Sequence, residues 1–196
     1  MANAELGTVI VTGGASGLGA ATARAIAGGG GTPVVLDRVQ PAEDVDFERV
    51  DLADARAAEA TVERVAERHD GLAAVVTAAA MDEPAPFGEI EAERWERIVL
   101  VNLLGTAAVV RAALPPLERS DGKVVTVGST LGLSAVGDAT AYCASKFGVV
   151  GFTRSLAVET AGRIGVTLLI PGGMHTAFFD GRSEQYKPPA DAPLSP

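Results

Sequence analysis

The sequence predicts an α/β fold in which helices cover both faces of a doubly wound, parallel β-sheet. Short β-branched apolar runs alternate with Ala-rich stretches, the order that puts crossover helices between parallel strands. The first run, Thr8–Thr12, passes directly into a glycine-rich turn and then a helical stretch. Hydrophobic residues make up 47% of the 196 positions against 21% charged, which suits one buried core and argues against disorder.

The elements follow in order. Thr8–Thr12 carries no charge and reads as a strand buried on both faces. A helix is expected over Leu18–Ala27, and Gly28 to Gly31 form the joint to a second strand, Pro33–Asp37. A short third strand, Phe47–Val50, precedes a helix over Ala53–His69. That helix opens on Asp54-Ala55-Arg56-Ala57-Ala58-Glu59, which is helix-forming and poor in β-branched residues. The fourth strand is Ala73–Thr77. Two separate helices are then expected, Glu91–Asn102 and Gly105–Glu118, with Pro115 and Pro116 stopping or bending the second. Strand Lys123–Gly128, helix Ala141–Gly162 and strand Gly165–Ile170 complete the series. After Pro171 the chain turns rich in Pro and Gly. Residues 181–196 are therefore read as a flexible tail or the start of a truncated C-terminal element, leaving 1–180 as the folded domain.

Composition excludes several functions. A formal net charge of −9 disfavours nucleic acid and anionic membrane surfaces as partners, and its plain role is solubility. Cys143 is the sole cysteine, so no internal disulfide forms and a reducing compartment is the default. It reads as a small helix residue. Met1 to Leu6 has no basic n-region. The longest apolar-rich stretch on this reading, Leu72 to Met81, falls short of the ~20 residues that span a bilayer. A cytoplasmic protein is expected.

Chemistry concentrates in two places. The turn Thr12-Gly13-Gly14-Ala15-Ser16-Gly17-Leu18-Gly19 sits between strand and helix. Glycine at 13 permits a tight turn, and glycines at 17 and 19 permit close approach to a pyrophosphate. The helix beginning near Leu18 aims free N–H groups at the phosphates. Asp37 ends the second strand, where a carboxylate meets both hydroxyls of the adenosine ribose and repels a 2′-phosphate. NAD is thus favoured over NADP, although neighbouring Arg38 offers a guanidinium that a phosphate would attract. Farther on, Tyr142 and Lys146 stand four apart on one helix face, with Ser129 upstream of them. A Tyr and Lys at that spacing occur on many exposed helix faces. It is their combination with the glycine turn, in this order, that points to a carbonyl/alcohol redox centre.

From Thr8 to Thr176 the set resembles the short-chain dehydrogenase/reductase family, of the compact single-domain kind with a Rossmann fold. The resemblance implies that Tyr142 is the general acid/base, Ser129 holds the substrate oxygen and Lys146 supplies a positive field while binding the nicotinamide ribose. The phenol is then expected to fall about two to three units from its usual ~10. By the same resemblance Asn102 anchors a water linking lysine to solvent. Gly13, Ser16, Gly17, Leu18 and Gly19 hold the phosphates, and Asp51 and Leu52 hold adenine. Pro171, Gly172 and Met174 pack beside the nicotinamide, whose carboxamide Thr176 binds. Where the family usually shows Asn-Asn-Ala-Gly, this chain has Thr77-Ala78-Ala79-Ala80. Ala78 and Ala79 keep the main-chain contacts and lose the side-chain hydrogen bonds.

The reaction implied is hydride transfer between NAD(H) and a secondary alcohol or ketone. Met81, Thr130, Leu131, Leu133 and Phe178–Phe179 are the expected lining, which suits a hydrophobic alcohol or acyl group. His175 reads as a loop histidine and His69 as a helix-end residue. No Cys/His cluster suggests a metal, and no G-x-S-x-G elbow suggests serine hydrolysis. The alternative is a non-catalytic nucleotide-binding sensor or scaffold of the same fold, favoured by Thr77–Ala80 and opposed by the retained Tyr142 and Lys146. An extended sugar-nucleotide epimerase needs a longer substrate domain. A homodimer is expected through helices 105–118 and 141–162, where Ala107, Ala108, Ala112, Ala144 and Gly148 would let helices pack closely. The family's second interface uses a final helix and seventh strand not visible after Pro171.

Overall fold

The computed structural model describes residues 6–174 and 176–187. The expectations for Met1–Glu5, His175 and residues 188–196 lie outside the described residues.

Six parallel strands form one sheet: β1 (Thr8–Thr12), β2 (Thr32–Asp37), β3 (Asp46–Arg49), β4 (Ala74–Thr77), β5 (Lys123–Val127) and β6 (Gly165–Leu169). Their spatial order is β3-β2-β1-β4-β5-β6. The chain reverses its winding direction between β1 and β4, which leaves a crevice at the carboxyl ends of those strands. Thr12 pairs with both Leu36 and Thr77 there. The fold is therefore the expected Rossmann arrangement.

Helices α1 (Gly17–Gly28), α2 (Ala55–Arg68), α3 (Ala92–Val99), α4 (Thr106–Arg119) and α5 (Thr140–Glu159) cover the sheet. Asp54 caps α2, its carboxylate accepting from the Arg56 and Ala57 N–H groups. The main core lies where α2 and α4 meet the sheet. Ile10, Leu36, Val62, Val65, Val75, Val109, Leu117 and Val124 are all fully enclosed there.

One expectation fails instructively. The two helices read over 91–102 and 105–118 form one continuous 28-residue element, because Leu100–Gly105 adopts a π-helical stretch joining α3 to α4. An inserted residue of this kind widens the helix without ending it. Gly105 permits the crossing: a Cβ there would lie 2.6 Å from the Leu52 carbonyl oxygen. Pro115 and Pro116 fall near the end of α4, as expected; the helix ends at Arg119, one residue past the expected Glu118, with Pro116 and Leu117 buried. The joined helix also overturns the reading of Leu72–Met81 as the longest apolar stretch. By length and composition Ala92–Arg119 could cross a membrane, but Ile98, Val109, Ala113 and Leu117 are buried within this fold.

The small residues named for helix pairing divide in the same way. Ala108 and Ala112 pack into the core, and a Cβ on Gly148 would meet Leu103 at 2.6 Å. Ala144 is exposed, as are Leu100, Leu104, Phe147 and Val158, so the open apolar face belongs to the π stretch and α5.

Candidate active site

The glycine turn closes on itself with no room for side chains. A Cβ on Gly19 would stand 2.2 Å from the Gly13 carbonyl oxygen, and one on Gly13, at φ +69°, would stand 2.6 Å from Ala79 Cα. Ser16 starts α1 in extended conformation, and its side chain makes no capping hydrogen bond. The first N–H groups of α1 are thus left for an external acceptor, the arrangement that binds phosphate.

Asp37, at the end of β2, faces this turn. One carboxylate oxygen accepts from the Ala15 N–H at 3.0 Å, and the other accepts from the Val39 N–H at 3.0 Å. Asp51, after β3, accepts from the Ala53 N–H at 3.0 Å and pairs with Arg97 at 2.7 Å. Burial pushes the Asp51 carboxyl upward, but the Arg97 and Ala53 hydrogen bonds outweigh it, and the group ends below its usual range. Arg38 leans toward the same carboxylate at 3.6 Å.

The segment after β4 is held by neighbours. Thr12 Oγ1 accepts from the Ala79 N–H at 3.1 Å. The Asn102 side chain accepts from the Met81 N–H and donates to the Met81 carbonyl, both at 2.8 Å, and donates to Ser145 Oγ at 3.1 Å. Thr12 at Ala79 and Asn102 at Met81 therefore brace the segment after β4 from outside it. Among the described residues, Thr77 Oγ1 is buried with no hydrogen-bond partner.

Tyr142 and Lys146 lie one turn apart on α5, as their spacing requires, and both are buried. Lys146 Nζ sits 5.6 Å from the Tyr142 ring centroid and donates to the Val127 carbonyl at 2.8 Å. Ser129, beyond β5, is buried too, and its Oγ accepts from the Leu131 N–H at 3.1 Å. The expected drop in the phenol's pKa is not found in the protein by itself. Burial pushes Tyr142 up to about 12, with Asp82 adding to the rise while Ser129 and Arg182 oppose it. Burial likewise pulls the Lys146 ammonium down to about 8. Both groups are drawn toward their neutral forms by loss of water.

A single cleft of about 1000 Å³ joins these features, running from Asp37 and the glycine turn to Ser129, Tyr142 and Lys146. Leu18, Leu52, Ala78, Ala79, Pro171, Gly172, Met174 and Thr176 line it as well, so every expected site residue except Asn102 reaches its wall. Asn102 stands behind the wall. Of the expected substrate lining, Leu133 is missing and half-exposed.

Sequence reasoning missed a pair of charges at this end. Arg182 and Asp82 meet at 3.0 Å on the cleft wall, their side chains 11% and 6% exposed. Neither belongs to a recognisable motif, and no local pattern links positions a hundred residues apart. The segment that carries Arg182 folds over the site. A Cβ on Gly17 would touch Thr176 at 3.4 Å, Phe178 packs against Tyr142 with ring centroids 5.9 Å apart, and Tyr186 Oη donates to Asp138 at 3.1 Å.

Comparisons with known proteins agree with this geometry. The family model described as short chain dehydrogenase matches residues 7–187. A cis-4-hydroxycyclohexanecarboxylate dehydrogenase of Sinomonas cyclohexanicum is 34% identical over 186 residues, covering 88% of this chain and 75% of that protein. A D-beta-hydroxybutyrate dehydrogenase of Cupriavidus necator is 31% identical over 192 residues, covering 90% of this chain and 74% of that one. Among solved structures, the ligand-free aldohexose dehydrogenase of Thermoplasma acidophilum superposes with a TM-score of 0.83 at 26% identity. That match covers 87% of this chain and 68% of the other.

Burial of Lys146 has a consequence for stability. Folded, the ammonium releases its proton near pH 8, whereas the unfolded chain holds it to 10.5. Between those values the unfolded state binds more protons, so the charge penalty is fully present below pH 8 and disappears as pH rises. The expected outcome is that Lys146→Met unfolds at higher urea near neutral pH, by about 1–3 kcal/mol, since part of the gain offsets the lost bond to Val127. The difference should close toward pH ~10. Urea titrations across that range check it, and an advantage independent of pH would contradict the assignment.

Proposed function

The chain belongs to the short-chain dehydrogenase/reductase family, and from that premise we propose that it is an NAD-dependent oxidoreductase interconverting a secondary alcohol and its ketone. The convergence of Ser129, Tyr142 and Lys146 on the cleft that also contains the glycine turn and Asp37 carries this reading. The names of the two relatives each describe a secondary alcohol, which supports the same class of substrate.

The wall of the cleft fits a dinucleotide. Gly13, Ser16, Gly17, Leu18 and Gly19 take the phosphates, because the turn leaves amide groups free and excludes side chains. Asp37 takes the adenosine ribose hydroxyls, and Asp51 and Leu52 border the adenine. Ala78 and Ala79 offer backbone, and Pro171, Gly172, Met174 and Thr176 border the nicotinamide. The bound nicotinamide supplies or accepts the hydride and, when oxidised, brings a positive charge. NAD is preferred to NADP because a 2′-phosphate would enter beside the Asp37 carboxylate, while Arg38 is drawn toward Asp51.

Ser129 positions the substrate oxygen by hydrogen bonding. Tyr142 Oη gives that oxygen a proton during ketone reduction and takes it back during alcohol oxidation. A phenol held near 12 keeps its proton at neutral pH, so the protein alone is set to donate. Lys146 holds its charge close to the phenol and reaches the nicotinamide ribose. Asn102 acts at one remove, through the water that the family resemblance places between lysine and solvent. The cytoplasm is the expected compartment. Two copies would pair through the face made by Leu100, Leu104, Ala144 and Phe147.

Three outcomes are expected. Tyr142→Phe abolishes turnover of secondary alcohols, by about 10²-fold or more, while calorimetry still records cofactor binding. Retained activity would sink the mechanism. For cofactor choice, side-by-side titration gives tighter binding of NADH than NADPH, and Asp37→Ala narrows the gap; equal affinities in the unaltered protein would refute the role of Asp37. For assembly, light scattering over a range of concentrations gives a dimer that Phe147→Glu dissociates. A monomer at every concentration would rule out the pairing face.

A further inference from the structure

The guanidinium of Arg182 is only half used. Its Nη1 bonds to Asp82 Oδ2 at 3.0 Å, while Nη2, among the described residues, is buried with no hydrogen-bond partner. The group sits against two aromatic rings, with its central carbon 4.6 Å from the Phe178 ring centroid and 5.0 Å from that of Phe179. Phe178 in turn packs against Tyr142. Arg182, Asp82 and Tyr142 line the same cleft, and both charges act on the phenol. A buried donor on a charged group without an acceptor is costly, and Arg182 lines the cleft, so an acceptor is expected to arrive with the ligand as the side chain turns its closed Nη2 toward it.

The chemistry of the pair selects among acceptors. Asp82 already neutralises Arg182, and its side chain is 6% exposed. A carboxylate reaching Nη2 would enter beside a buried carboxylate and be repelled. An alkyl group would leave Nη2 unsatisfied. An uncharged hydroxyl can accept from Nη2 and also donate to a neighbouring carboxylate oxygen. We propose that Arg182 and Asp82 form a hydroxyl-binding subsite beside Tyr142, so that the substrate is an alcohol carrying a second, uncharged hydroxyl group. The inference rests on the oxidoreductase reading above and deepens it by naming the substrate class. It also adds a charged pair to the mostly apolar lining expected from the sequence.

The test compares secondary mono-alcohols of four, five and six carbons with diols of the same length, the two hydroxyls being vicinal or separated by one or two carbons. The quantity read is the ratio of kcat/KM for diol over mono-alcohol within each protein. For the unaltered protein it should exceed about tenfold at one spacing, since a site built around a substrate hydroxyl discriminates against its absence. Arg182→Met should bring the ratio near one. Arg182→Lys, which keeps the ion pair but loses the second planar donor, should lower it as well and serves if the methionine variant fails to fold. Asp82→Asn should shift preference from the diol toward the hydroxy acid of equal length, because it removes the repelling charge. Variants that lower diol and mono-alcohol rates in parallel, with the ratio unmoved, would mean that the pair merely anchors its segment, and the proposal would fall. If no alcohol is turned over, the oxidoreductase reading fails separately. Calorimetric titration of diol and mono-alcohol into the unaltered and Arg182→Met proteins then decides the subsite: selective diol binding lost in the variant upholds it, and equal binding overturns it.

Discussion

Close backbone contact at the carboxyl end of β1 is the constraint on which the rest of the structure depends. Gly19 comes within a Cβ's reach of the Gly13 carbonyl, and Gly13 within a Cβ's reach of the Ala79 backbone. Any side chain at either glycine would force apart β1, α1 and the segment after β4. Those three elements form one end of the cleft, where the phosphates are proposed to sit, and the strand order around β1 opens the crevice in which they meet. Once their spacing is fixed, Asp37 on the neighbouring strand is fixed too, because its carboxylate accepts from Ala15 inside the turn. The turn and the Asp37 carboxylate, proposed to meet the ribose, are therefore one unit.

The second half of the site is braced across a larger distance. Thr12 holds Ala79, Asn102 holds Met81 by two hydrogen bonds, and the same asparagine reaches Ser145 on α5. The helix bearing Tyr142 and Lys146 is thereby tied to the segment bordering the glycine turn. The π-helical stretch at Leu100–Gly105 belongs to this arrangement, since Asn102 lies within it and Gly105 lets it pass close to Leu52. Alanines at 78 to 80 are compatible with this scheme because the braces come from Thr12 and Asn102.

The sequence made legible what depends on short spacing. Five of the six strands were recognisable from apolar runs, while the third, Asp46–Arg49, holds a single apolar residue and lies one position before the expected Phe47–Val50. The glycine turn and the Tyr142–Lys146 pair follow from motifs whose spacing matches a turn or a helix. The π stretch was not legible, since Asn102 and Gly105 look like a boundary between helices and only packing against Leu52 carries the helix through. The prolines, by contrast, were legible: they fall in the last turns of α4, which ends at Arg119, one residue past the expected Glu118. Arg182 and Asp82 were invisible because they meet only through the fold. The phenol's environment was also misjudged. A lysine one turn away suggests a lowered pKa, but spacing says nothing about the loss of water around both groups.

That loss of water bears on how the site handles protons. With the phenol near 12 and the ammonium near 8, Lys146 and not Tyr142 is the first of the two to lose a proton as pH rises. Drawing the phenol toward ionisation therefore requires positive charge that the folded chain does not itself concentrate there. Asp82 and Arg182 illustrate the balance. The carboxylate raises the phenol's pKa and the guanidinium lowers it, so that as a closed pair their effects oppose each other. Two charges of opposite sign can thus stand beside the phenol with opposing effects on it. A lone arginine would promote ionisation, and a lone aspartate would suppress it. The pair places hydrogen-bonding groups next to Tyr142, the proposed acid/base residue, whose proton affinity burial raises and Ser129 lowers.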